Sequence, residues 1–181
     1  MSPAVTAPPL LFGVDAVAVA RAQELWTTFG AALARRVATD AEAAWAGAAP
    51  ERYAALLAVK ESAIKCLAGR PPGFRWQCVQ LDPHDVPTSD LLPDVAGETL
   101  AAFAGGVRLA GERDVACRLA GAGLDRARQV LGAADGAPIR GAARHGTLDG
   151  HVLAAVCFWE DRMSLPISMP ISVPGGGLGV F

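Results

Sequence analysis

Lysine is almost missing from this chain of 181 residues: there are two, Lys60 and Lys65, against 14 arginines. Charge of one sign is missing too. A net charge of −2 leaves no global basic field of the kind that condenses on nucleic acid or anionic lipid, so neither is expected as a partner. Any polyanion must be met by a local site. Long apolar runs are absent as well, although apolar residues make up 52% of the chain. No stretch approaches the ~20 residues of a membrane span, and the lead Met1 to Pro9 lacks the basic start of a secretory signal. The reading is therefore a cytoplasmic protein without a membrane partner. The four cysteines, Cys66, Cys78, Cys117 and Cys157, are isolated, with no Cys-x-x-Cys pair or Cys/His cluster. That excludes a zinc module and favours small buried apolar residues in a reducing compartment.

The chain length suits one domain with a real core. A flexible lead over 1–9, a domain over 10–163 with an expanded middle at 82–140, and a Pro/Gly-rich extension over 164–181 are expected from composition. Leu10 to Val19 begins as a continuous apolar run and then alternates, as a buried strand that ends near Asp15. Arg21 to Val37 carries Leu25, Trp26, Phe29, Leu33 and Val37 at helical spacing. Thr39 and Glu42 form a capping-box signature. Pro50-Glu51 opens a helix that should run to about Leu67 and stop at Gly69. Further strands are expected at Phe74 to Leu81, Gly106 to Ala110, Ala137 to Arg144 and His151 to Trp159. Asp82 to Pro93 reads as a loop, Glu98 to Phe103 as a short helix or strand, and Leu124 to Ala134 as a helix.

Glu61 and Lys65 stand at i and i+4 on the Glu51 to Leu67 helix. As a bare pair they make a surface ion pair worth a few tenths of a kcal/mol. Two features favour more than that. The helix is apolar nearly all round, with Leu56, Leu57, Val59, Ile64 and Leu67, and the chain spends its only lysines here. Asp15 at a strand end and Glu61 on a buried helix could supply the two carboxylates that, with substrate phosphates, typically hold Mg²⁺. The lysines would then neutralise phosphate charge.

Gly13-Val14-Asp15, followed forty to fifty residues later by Lys60-Glu61-Ser62-Ala63-Ile64-Lys65, resembles the signature pair of the phosphopantetheinyl transferase superfamily. The holo-acyl-carrier-protein synthase branch is the most similar, because Gly-x-Asp lies near the start and one half-length unit is present. Val37 to Glu42 and Glu51 to Leu57 resemble that branch's approach to the motif helix. The resemblance implies an α+β fold, a small curved antiparallel sheet packed against the long motif helix. It implies Mg²⁺ on Asp15 and Glu61, coenzyme A phosphates facing Lys65, and Lys60 holding the loop or the nucleotide. It implies transfer of 4′-phosphopantetheine from coenzyme A to a serine of an acyl or peptidyl carrier protein, with Glu61, or a water it orients, as the candidate base and 3′,5′-ADP released. Homotrimers are implied too. The branch's Ser-Leu-Ser-His segment is here Ala142-Ala143-Arg144-His145, which lacks both serines, so Arg144 and His145 are the expected coenzyme A contacts. The alternative is a non-catalytic module that keeps the fold and binds a carrier protein or coenzyme A.

Overall fold

Strand β1 (Leu10–Ala18) leads directly into helix α1 (Val19–Val37), then come α2 (Asp40–Ala46), α3 (Pro50–Cys66), a 3-10 turn (Trp76–Cys78) and β2 (Val79–Asp82). After these follow α4 (Leu92–Phe103), β3 (Ala110–Leu119), α5 (Gly121–Leu131), β4 (Ile139–Leu148) and β5 (His151–Glu160). The computed structural model describes residues 9–84 and 92–161. The lead up to residue 8, the C-terminal extension and 85–91 of the expected loop lie outside the described residues.

The strands form one sheet in the order β1-β5-β4-β3-β2, every neighbouring pair antiparallel. This is the α+β architecture expected from the sequence. Alternation along each strand gives the sheet two faces. On one, Leu11, Val17, Val115, Ala154, Val156 and Phe158 pack against α3 in the main core. On the other, Leu153 and Ala155 meet Leu100, Ala104 and Leu109 from and just beyond α4. Cys66, Cys117 and Cys157 are buried and free, and burial pushes the Cys117 and Cys157 thiols up to about 12, as inert core thiols should be.

Helix α3 is the axis of the molecule, with eleven of its seventeen residues buried. Pro50 sits in its first turn, where a missing N–H costs nothing. The capping box forms as expected: Thr39 Oγ1 accepts from Glu42 N, and Glu42 Oε2 accepts from Thr39 N at 2.6 Å. The β4–β5 hairpin turns on Asp149 and Gly150, both at positive φ (47° and 73°), as a two-residue type I′ turn requires.

Three expectations are corrected. The strand expected at Phe74 to Leu81 begins only at Val79, because Phe74 N–H closes a turn on Pro71 O and the Trp76 carbonyl is drawn to Lys60. The strand expected at Gly106 to Ala110 is β3, starting at Ala110, since Gly105 and Gly106 take positive φ where α4 ends. The first long helix bends: Gly30 (φ 47°, ψ −126°) divides α1 into two helical arms.

Candidate active site

Gly13 explains how the site assembles. A Cβ there would overlap the Ser62 carbonyl oxygen and stand 3.0 Å from Cys66 N, so only glycine lets α3 lie directly on β1. Two residues on, Asp15 points to the same face of β1, and the close approach sets it beside Glu61 and Lys65 of α3.

Lys65 Nζ donates to Asp15 Oδ1 at 2.9 Å and to Val14 O at 2.9 Å. The expected i,i+4 pairing with Glu61 gives way to this tie between helix and strand. The Lys65 side chain is 56% exposed, which leaves it able to turn toward a ligand. The Glu61 pKa is raised, first by burial and then by the neighbouring Asp15 carboxyl, through hydrogen bonding and charge. Arg21 and Arg70 oppose the shift. Two neighbouring carboxyls, one of them partly withdrawn from water, are a fit for a hard divalent cation, which would offset their mutual repulsion. Among the described residues no third His, Cys, Asp or Glu joins them, so the remaining ligands would be water and substrate oxygens.

Glu61 also lines a cavity of about 390 Å³ between α1 and α3. Leu25, Leu33, Leu57 and Trp76 supply apolar walls, while Arg21, Arg36 and Arg70 bring positive charge to it. The two arms of the bent α1 both contribute. A larger hollow of about 890 Å³ lies against α2 and β2 and includes neither Asp15, Glu61 nor Lys65.

The other expected site residues lie elsewhere. Lys60 is fully buried, and Nζ donates to Glu42 Oε2 at 3.0 Å, to Trp76 O at 3.1 Å and to Val79 O. All three of its donors are spent, so it holds the loop after α3 and cannot hold a nucleotide. Burial lowers its pKa, and the Glu42 charge opposes that shift. Arg144 is on the opposite face of the sheet, paired bidentately with Asp114 (2.7 and 2.9 Å) under Gly97 of α4. Within one chain that placement sets it away from Asp15 and Glu61. His145 faces the α3 side in the same cross-strand row as Asp15, but Ala154 of β5 stands between them. It is 8% exposed, its Nε2 has no hydrogen-bond partner among the described residues, and burial, then Arg113, lowers its pKa to about 4. Within one chain it does not reach the Asp15–Glu61 cleft. Conversely, Arg21 and Arg70 were not signalled by the sequence, because arginine is its default cation.

The sequence profile of the 4′-phosphopantetheinyl transferase superfamily matches residues 11–114, more than half of the chain, and the chain belongs to that superfamily. Its fold is that of the holo-acyl-carrier-protein synthases. Three solved structures resemble it: the Helicobacter pylori holo-[acyl-carrier-protein] synthase in complex with coenzyme A (16% identity, TM-score 0.52, covering 80% of this chain and 96% of that one); the Neisseria meningitidis holo-[acyl-carrier-protein] synthase (20%, 0.52, 82% and 97%); and the Chronobacterium ammoniagenes ACPS–CoA complex (17%, 0.53, 85% and 99%). No curated protein matches the chain.

Proposed function

We propose that this chain transfers 4′-phosphopantetheine from coenzyme A to the serine hydroxyl of an apo acyl or peptidyl carrier protein, with Mg²⁺ held by Asp15 and Glu61. The observation that carries this reading is the convergence of the Asp15 and Glu61 carboxyls with Lys65 Nζ, made possible by Gly13. When bound, the cation supplies charge neutralisation and polarisation of the pyrophosphate oxygens. Lys65, exposed and 2.9 Å from Asp15, turns its ammonium to a phosphate oxygen. Glu61, or a water it orients, is the candidate base for the serine proton. The serine oxygen forms a bond to the β-phosphorus as the bond to 3′,5′-ADP breaks. The apolar cavity beside Glu61, edged by Arg21 and Arg36, suits an acidic amphipathic helix that presents the serine.

The test is incubation with coenzyme A, Mg²⁺ and apo carrier proteins, read by mass spectrometry of the carrier. Gain of the phosphopantetheine mass is expected, and Glu61→Gln is expected to abolish it while the variant stays folded. Mg²⁺ should raise the melting temperature of the parent chain and leave that of Glu61→Gln unmoved. Coenzyme A binding with no carrier modified would leave the non-catalytic binding module as the better reading. The homotrimer implied by the resemblance belongs to the same proposal, and light scattering should then give a particle of three 18.6 kDa chains.

A further inference from the structure

Arg70 follows the reversal that ends α3. Ala68 and Gly69 take positive φ (55° and 112°), Gly69 N–H bonds back to Ile64 O, and the chain returns so that Arg70 lines the same cavity as Glu61. Its guanidinium lies over the Trp76 ring, 4.6 Å from the centroid. The Trp76 backbone is itself pinned, since its carbonyl accepts from the buried Lys60 Nζ at 3.1 Å. A cation held over a ring spends none of its N–H groups on a hydrogen-bond acceptor. Among the described residues Arg70 has no hydrogen bond or ion pair, and the acidic group it influences is Glu61.

A planar fork of donors, held over an aromatic ring, therefore stands unspent on the cavity that Glu61 lines. That geometry suits an oxyanion held bidentately. A carboxylate arriving from a protein partner would face two carboxylates already present. A phosphate differs, because it can share the divalent cation that those carboxylates hold. We infer that Arg70 binds the pyrophosphate of the incoming substrate, gripping one phosphate edge-on next to Asp15 and Glu61. The inference rests on the transferase reading above and adds a residue to the phosphate subsite that Lys65 alone would otherwise form. Trp76 is then the residue that positions Arg70.

The probe is inorganic pyrophosphate with Mg²⁺, titrated calorimetrically into the full chain and into Arg70→Gln, Arg70→Lys and Trp76→Leu. Loss of one charge-assisted bidentate contact predicts a Kd raised about tenfold or more in Arg70→Gln. Arg70→Lys should restore only part, because an ammonium lacks the fork. Trp76→Leu should weaken binding in the same direction but less. In turnover, KM for coenzyme A should rise in Arg70→Gln while KM for the carrier stays put. Pyrophosphate affinity within twofold of the parent, or a rise confined to KM for the carrier, overturns the inference. A parent chain that binds no pyrophosphate overturns it too. Failure of the transferase reading looks different: the parent chain would bind pyrophosphate in an Arg70-dependent way yet modify no carrier.

Discussion

At the scale of single residues, the motif positions were legible because each has one physical task that few side chains can do. Gly13 is the clearest. Its φ is unexceptional, so its requirement is space alone, and an added methyl would meet helix backbone rather than a yielding side chain. Gly13→Ala is expected to lift α3 from β1, costing about 1–3 kcal/mol as overpacking does and cutting transfer far more than stability. Urea unfolding and the carrier modification assay, run on the same preparation, check both parts. Arg144 and His145 show the opposite case. Neighbours on a strand point to opposite faces, and the expected strand, which stopped at Arg144, hid that His145 continues it and so faces away from Arg144. Arg70 was invisible for another reason: its role depends on a stack with Trp76, and nothing in the spacing of two residues across a chain reversal announces a stack.

At the scale of elements, helices were read well and strands less so. Helix α3 announced itself by composition and by Pro50, whereas β3 carries Arg113, Asp114 and Arg118 among Val115, Cys117 and Leu119, so its alternation hides among charges until the partner strands are known. The bend of α1 at Gly30 went unread because glycine inside a helical pattern is usually tolerated at a modest cost. Helix α3 also gives the sharpest contrast between like residues. Lys60 and Glu42 are both fully buried, and Glu42 additionally accepts from Leu81 N at 2.7 Å. Lys60→Met leaves that carboxylate buried without its cation and should cost about 3–5 kcal/mol in urea unfolding. Lys65→Met, at a side chain more than half exposed, should cost under about 1 kcal/mol and be read in activity instead. Equal losses for the two would contradict the division of labour between them.

At the scale of the whole molecule, His145 links the sheet to pH. Its imidazole is held at about 4 in the fold, against an ordinary value of 6.5. Between those values the unfolded chain binds a proton that the folded chain refuses, so the contribution is complete above the unfolded value and drains away as pH falls toward the folded one. The loss should approach roughly 3 kcal/mol. Denaturant melts at about pH 7 and about pH 4.5 should show most of it in the parent chain, and His145→Gln should flatten the difference. An unchanged slope in that variant would assign the acid sensitivity to carboxylates. The sheet order adds something of a different kind. Its outermost strands are β1 and β2, and the two lysines of α3 reach one apiece: Lys65 takes the Val14 carbonyl and Asp15, Lys60 the Val79 carbonyl. The helix thus spans the sheet from one edge to the other and is tied to both. Drawing either edge strand away from the helix would have to pull Val79 from Lys60 or Asp15 from Lys65, so the two sheet edges are held to one helix by two ammonium groups.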